Sequence, residues 1–236
     1  MTDPSDEMTD PSDATAAGAI TIALVDDQAL FRGGIRMLIG SQPDLRVVGE
    51  ASDGRQAVEL AARTRPQVIL MDVRMPVMDG IEATKTILAE ADARGGERPR
   101  IVVLTTFDLD EAAATAIRAG ASGFLLKDAE PEFLLAAIRT VHAGNAVIAA
   151  SATRELFEHF QQAPAAPAAP QRYAELTARE REIFLLAARG LSNSEIAAAE
   201  FLSEATVKTH ISRIFAKLEV RDRVQLVVFA FEHGLV

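Results

Sequence analysis

The sequence predicts an α/β domain built on a five-stranded parallel sheet, joined to a small all-α domain of four helices. Three observations carry this reading. From Ile20 to about Gly144, short apolar runs alternate five times with amphipathic stretches of helical period. The runs are nearly continuous Val, Ile and Leu, as expected of strands buried on both faces. Residues 163–170, Ala-Pro-Ala-Ala-Pro-Ala-Ala-Pro, then break the pattern, and from Leu176 onward every periodic stretch is helical.

Taken in order, residues 1–18 carry five acids and no base, a composition that predicts a disordered acidic tail. The tail repeats Met1-Thr-Asp-Pro-Ser-Asp6 as Met8-Thr-Asp-Pro-Ser-Asp13, which reads as a duplicated or alternative start at Met8. Strands are expected at 20–25, 45–49, 67–71, 100–104 and 122–126. Helices are expected near 28–40, 54–64, 79–93, 109–119 and 130–143. Gly40, Gly95-Gly96, Gly120 and Gly144 stand where helices would stop. Such β–α repetition implies a parallel sheet with helices on both faces, spanning 19–144.

A further helix is expected at 151–162. The prolines after it favour an extended, semi-stiff connector, so 145–173 reads as helix plus linker. In 174–236, helices are expected near 178–189, 193–199, 204–218 and 222–232. Gly190 would end the first, Ser192 or Asn193 cap the second, and Ser203 cap the third. Helix, short turn, helix is a DNA-reading unit.

Composition narrows the function classes. With 236 residues and 49% apolar content, the chain has material for two cores. The absence of Cys excludes disulfides, thiolate catalysis and Cys-ligated zinc, and suits a reducing compartment. No apolar run approaches the roughly 20 residues a membrane helix needs, and no secretory leader is legible, so the expected partners include no membrane and the expected location is cytoplasmic. The net charge of −10 argues against nucleic acid until it is divided. Residues 1–173 hold 16 Lys/Arg against 25 Asp/Glu; residues 174–236 hold 8 against 9. Within 208–223, five bases face two acids, a local +3. That stripe, not the total, decides whether a phosphate backbone can be touched.

Four apolar runs end in polar groups: Val25 in Asp26-Asp27, Met71 in Asp72, Leu104 in Thr105, Leu126 in Lys127. In a parallel sheet these gather at the carboxyl edge, where open α/β sheets bind ligands. Three carboxylates, a hydroxyl and an ammonium make a site for a divalent cation and a phosphoryl group. Asp72 can attack phosphorus as a nucleophile. Asp26, Asp27, one oxygen of Asp72 and the backbone carbonyl of Arg74 can hold a hard cation. Lys127 and Thr105 can meet phosphoryl oxygens. A hydrolase with an aspartyl nucleophile usually needs an acid two residues later, where this chain has Arg74.

The quoted pieces resemble a known family. Val25-Asp26-Asp27, Met71-Asp72-Val-Arg-Met-Pro76, Asp79-Gly80, Val103-Leu104-Thr105-Thr106 and Ala121-Ser-Gly-Phe-Leu-Leu-Lys127 resemble the receiver domain of two-component response regulators. Leu176-Thr-Ala-Arg-Glu-Arg-Glu182, Gly190-Leu-Ser-Asn-Ser-Glu-Ile196 and Thr206-Val-Lys-Thr-His210 resemble the LuxR-type helix-turn-helix of the NarL/FixJ class. The resemblance implies a CheY-like (flavodoxin-like) receiver and a DNA-binding transcription factor. It implies phosphorylation of Asp72 by a sensor histidine kinase, and Mg²⁺ (or Mn²⁺) at Asp26 and Asp27. Thr105 would turn towards the phosphoryl group and Phe124 would follow it inward. Such a protein is no enzyme, beyond slow loss of its own phosphoryl group. It would dimerise when phosphorylated, bind double-stranded operator DNA and act on RNA polymerase. The other open reading is a transcription regulator governed by protein or ligand contacts, without phosphorylation. Two residues depart from the pattern: Phe124 where many receivers have Tyr, and Asp128 where many have Pro.

In the third C-terminal helix, Val207, Ile211, Ile214, Phe215 and Leu218 share one face. Lys208, Thr209 and Ser212, with the small residues Ala205 and Ala216, share the other and can approach base edges. Arg213 and Lys217, with Arg221 or Arg223, suit phosphates, and Thr206 is a further candidate for DNA contact. His210 reads as a base or phosphate contact or, in preference, as a hydrogen-bonded helix residue. The last helix is apolar almost all round. One side must serve the bundle, and the other meets either a second copy or the receiver.

Overall fold

The computed structural model describes residues 18–105, 111–145, 147–148 and 171–236. The acidic tail, the helix expected at 151–162 and the Pro/Ala linker lie outside the described residues.

The N-terminal domain alternates β1 (Ile20–Val25), α1 (Ala29–Gly40), β2 (Leu45–Ala51), α2 (Gly54–Thr64), β3 (Val68–Asp72), α3 (Gly80–Ala93), β4 (Arg100–Thr105), α4 (Glu111–Arg118), β5 (Gly123–Leu126) and α5 (Pro131–His142). All strand pairs are parallel, in the order β2-β1-β3-β4-β5. This is the doubly wound order whose reversal beside β1 opens a crevice at the carboxyl edge. The structure adds a two-residue sixth strand, β6 (Val147–Ile148), parallel to β5. Two residues carry no periodicity, so the sequence offered no signal for it. Strand β2 runs two residues beyond its expected end, because Gly49–Ala51 continue to pair with Ala23–Val25 past a register shift.

Both faces of the sheet are covered. Ile22, Leu24, Leu70, Val102 and Leu125 pack under α1 and α5. Ala23, Ile69, Met71, Val103 and Phe124 pack under α2, α3 and α4. Helix starts follow the expected chemistry: Asp53 and Asp79 accept from the amides of Gln56 and Glu82. Gly95, Gly120 and Gly144 have positive φ and stop their helices as expected. Gly40 is instead the last residue of α1, and Ser41 caps it.

The C-terminal domain holds α6 (Gln171–Ala174), α7 (Ala178–Ala188), α8 (Asn193–Ala199), α9 (Glu204–Leu218) and α10 (Arg223–Glu232). The four-residue α6 was not expected; its Tyr173 packs edge-on to Phe184 at 5.3 Å. Thr177 with Glu180, and Ser192 with Glu195, form reciprocal capping boxes at the starts of α7 and α8. Phe184, Ile196, Val207, Ile214 and Leu226 centre a separate core.

Helix α10 serves two cores at once. Leu226 and Ala230 face the helical bundle, while Val224 and Val228 are buried against the α4 side of the sheet. Gln225 Nε2 donates to the Ile117 carbonyl at 2.9 Å, and an Arg100 nitrogen donates to the Arg221 carbonyl at 2.9 Å. The structure shows the contact of this helix with the N-terminal domain.

Gly80 marks the tightest backbone approach. A Cβ there would stand 1.9 Å from the Asp72 carbonyl oxygen, and the Gly80 amide donates to Val73 at 2.9 Å. Helix α3 therefore starts directly against the end of β3, and only a missing side chain permits it. Gly80→Ala is expected to destabilise the chain by about 1–3 kcal/mol through overpacking, read as a lower urea midpoint at unchanged slope.

Candidate phosphoryl and DNA-binding sites

The sheet register levels the polar strand ends. Asp72 pairs with Leu104, and Thr105 with Leu126. The Asp26 amide donates to Ala51, and the Lys127 amide donates to the Thr105 carbonyl at 2.7 Å. All four groups thus stand at one edge, as the run endings implied. Lys127 Nζ lies 2.7 Å from Asp26 Oδ2 and donates to Asp72 Oδ2 at 2.8 Å. The Asp26 contact is off hydrogen-bond angle, so that buried oxygen is paired in charge yet accepts no hydrogen bond. Asp26 is 2% exposed and Asp72 5%. One carboxylate oxygen from each of Asp26, Asp27 and Asp72 falls within 4.8 Å of the others.

Burial pushes the Asp72 carboxyl up, and the hydrogen bond from Lys127 only partly offsets it. For Lys127, burial works against the ammonium, but the carboxylates of Asp26 and Asp72 outweigh it and raise its pKa. The ammonium also lies 4.9 Å from the centre of the Phe31 ring, a contact that sequence reasoning missed. Nothing in the chain pairs Phe31 with Lys127 in sequence; only the fold of α1 over the edge does.

Asp27 is no helix cap. Gln28 is the N-cap of α1 and makes no side-chain cap bond, while Asp26 Oδ1 accepts from the Gln28 amide at 2.8 Å. The Asp27 carboxylate is exposed, and no hydrogen bond or ion pair engages it among the described residues. The Arg74 amide lies 3.4 Å from Asp72 Oδ1, and Arg74 is exposed at the rim. Asp27, Arg74 and Asp79 line one depression beside Asp72. Thr105 is half-buried at the end of β4, and Phe124 is buried in β5 opposite Val103, two residues before Thr105. Where the family pattern has Pro, Asp128 follows Lys127 through a trans bond, and Ala129 closes the turn by donating to Leu126.

Helix α9 divides as its spacing implied. Val207, Ile211, Ile214 and Leu218 are buried; Ala205, Lys208, Thr209, Ser212, Arg213 and Ala216 are exposed. The docking of α10 leaves this face open. Thr209 and Ser212 hydroxyls donate back to the carbonyls of Ala205 and Lys208, keeping their lone pairs outward. Ser203 caps the helix, and its hydroxyl meets Thr206 Oγ1 at 2.8 Å. His210 is not the hydrogen-bonded residue expected: its Nδ1 is buried with no partner among the described residues.

Three cations expected at the DNA backbone are committed elsewhere. Lys217 donates to Glu180 Oε2 at 2.6 Å. Arg223 reaches back to Asn193 and to the carbonyls of Ala187 and Leu191. Arg221 is buried at the seam between the domains, its Nε 3.4 Å from Asp222. Long side chains reach partners that local spacing does not reveal. Lys208 and Arg213 are the α9 cations left without an acceptor among the described residues.

Comparison with known proteins agrees with both halves. Residues 22–139 match the response regulator receiver domain, and 174–230 match the LuxR family of bacterial regulatory proteins. The chain is 46% identical over 221 residues to the uncharacterised transcriptional regulatory protein YxjL of Bacillus subtilis strain 168, covering 92% of this chain and 97% of that one. It is 40% identical over 217 residues to the transcriptional regulatory protein LiaR of the same strain, covering 92% and 99%. Among solved structures, a LuxR-family response regulator from Aurantimonas superposes with a TM-score of 0.55 at 34% identity, covering 61% of this chain and 99% of that one.

The Glu180–Lys217 pair generates a pH prediction. The hydrogen bond from Lys217, with those from Thr177, outweighs burial and holds the Glu180 carboxyl at about 2 against its usual 4.5. A depressed folded-state pKa stabilises fully above 4.5 and is lost as pH falls towards 2. Glu180→Gln should therefore flatten the loss of stability between those pH values, measured by urea titration at each pH.

Proposed function

The chain belongs to the response regulators of two-component systems, a receiver domain followed by a LuxR-type DNA-binding domain, and from that premise we propose that Asp72 is its phosphoacceptor and α9 its DNA-reading helix. The observation that carries the reading is Lys127 Nζ within 2.8 Å of both buried carboxylates. A carboxylate oxygen of Asp72 attacks phosphorus in line. The new P–O bond forms as the bond to the donor's leaving group breaks, and the leaving group takes a proton from solvent. The donor is the phosphohistidine of a sensor histidine kinase. Lys127 follows the transferred oxygens, the Thr105 hydroxyl donates to one of them, and buried Phe124 repacks into the space behind.

The donor set fits a hard divalent cation. It offers three carboxylates with the Arg74 carbonyl at the rim, all oxygen, and Asp27 has no protein partner to surrender. Asp26, Asp27 and Asp72 would hold Mg²⁺, which supplies positive charge against the phosphoryl oxygens. The chain turns over no substrate and hydrolyses its own acyl phosphate slowly.

Phosphorylation adds about −1.5 to −2 charge beside a sheet whose α4 side carries α10. The altered face disfavours that packing and biases the chain towards a homodimer on operator DNA, from which it acts on RNA polymerase. Leu30 and Met37 on α1 are exposed at 92% and 79%, an apolar face available to a second copy. No helix among the described residues is long and apolar enough to cross a membrane, in keeping with a cytoplasmic regulator. Lys208 donates to a base edge with Thr209 beside it, Ser212 follows along the groove, and Thr206 and Arg213 meet backbone.

With acetyl phosphate and Mg²⁺, the wild-type chain should show a retarded band on phosphate-affinity electrophoresis, and Asp72→Asn should show none; equal labelling of the variant removes the assignment. In a gel-shift series, Lys208→Ala should cost about 1–3 kcal/mol of specific binding and relax discrimination at one base pair. DNA affinity indifferent to phosphodonor would favour control by protein or ligand contacts instead.

A further inference from the structure

The amino edge of the sheet, opposite the acidic cradle, holds a second concave site. A cleft of about 840 Å³ opens there, lined by Arg65, Arg94, Arg98, Arg100, Arg221 and His142. That size suits a small ligand. Both domains build it. Arg65 follows α2, Arg94 and Arg98 follow α3, Arg100 opens β4 and His142 closes α5, while Arg221 precedes α10.

The charges do not cancel. Glu97 is the one acid in the lining. Glu90 lies 3.6 Å from Arg94, Asp92 pairs with Arg98, and Asp222 lies 3.5 Å from Arg100 and 3.4 Å from Arg221. Five guanidinium groups thus face four carboxylates, with His142 besides. The Arg94 and Arg98 pairs are solvent-exposed, contribute little, and give way readily to a better acceptor. Arg65 is exposed and has no acceptor among the described residues.

Arg221 is the anomaly. Its side chain is nine-tenths buried, and both terminal nitrogens are buried with no hydrogen-bond acceptor. Burial, with Arg100 and Arg98 nearby, pushes its pKa down to about 10. A desolvated donor fork without an acceptor is costly, and cations crowded around it raise the cost. A multiply charged oxyanion in the cleft answers the crowding of charge, while the terminal nitrogens themselves stay packed against Gly120.

We propose that this cleft binds a compact diphosphate group, whose oxygens accept from Arg65, Arg94 and Arg98 on one domain while the buried charge of Arg221 on the other attracts it through the cleft wall. Guanidinium forks match phosphate oxygens in pairs, and several arginines meet a diphosphate better than a single carboxylate. No Phe, Tyr or Trp ring lines the cleft to stack a base, so recognition rests mainly on the phosphates. A ligand spanning the seam binds the docked arrangement and not the parted one. It therefore stabilises docking and opposes release of the DNA-binding domain.

The test is calorimetric titration of the full chain with inorganic pyrophosphate and, separately, with ADP, at constant ionic strength in EDTA so that no metal-bridged binding at the acidic cradle contributes. One saturable site is expected. The double variant Arg65→Gln/Arg94→Gln should weaken binding tenfold or more; both side chains are exposed, so the fold survives their loss. Arg221→Gln should weaken it similarly, and Arg46→Gln, an exposed arginine away from the cleft, should not. Matching affinities for the two ligands assign the site to the diphosphate alone, whereas tighter ADP adds a nucleoside contribution to the same site. No saturable heat, pyrophosphate binding unchanged in the double variant, or equal binding of sulfate would each overturn the proposal.

Discussion

Three carboxylates with oxygens inside 4.8 Å repel one another, and the ammonium of Lys127 is what allows the sheet to hold them together. The placement depends on register more than on any single contact. Because Asp72 ends β3 level with Leu104, and Lys127 leaves β5 level with Thr105, a side chain 55 residues away arrives between two acids. The supporting shell is equally constrained. Gly80 lets α3 begin against the Asp72 carbonyl, Asp26 closes a turn onto the Gln28 amide, and the Phe31 ring backs the ammonium. The cradle is thereby preorganised for added anionic charge without needing a rearranged backbone.

Much of this was legible before any coordinates, for identifiable reasons. Strands that must be buried on both faces are written as continuous apolar runs, so a polar residue at their end advertises an exit from the sheet. Asp26, Asp72, Thr105 and Lys127 each stood at such an exit. Helix caps were legible because Ser203 and Ser192 act on amides three residues away. Asp27 was ambiguous in sequence, since a cap and a cation ligand use the same carboxylate; the N-cap at Gln28 removes the cap reading.

What escaped the sequence was reached by long side chains or by the meeting of the two domains. Lys217, Arg221 and Arg223 sit in a basic stripe that reads as a DNA-facing edge. Lys217 and Arg223 are drawn to partners many positions away, Glu180 and the end of α7, while Arg221 is buried against Gly120 beside Asp222. Helical period places a Cα on a face but does not say where four or five rotatable bonds carry the charge. Strand β6 and helix α6 were too short to leave a period at all.

Helix α10 lends alternate residues to two cores, with Val224 and Val228 turned to the sheet and Leu226 and Ala230 to the bundle. A polar substitution at Val228 would leave the acidic cradle and the base-reading face intact, yet lower the cost of uncoupling the two halves. Its phenotype would be constitutive signalling rather than loss of the protein. On the switch proposed above, the threshold of the response would follow from apolar packing far from the chemistry, where it can drift without altering either the input or the output.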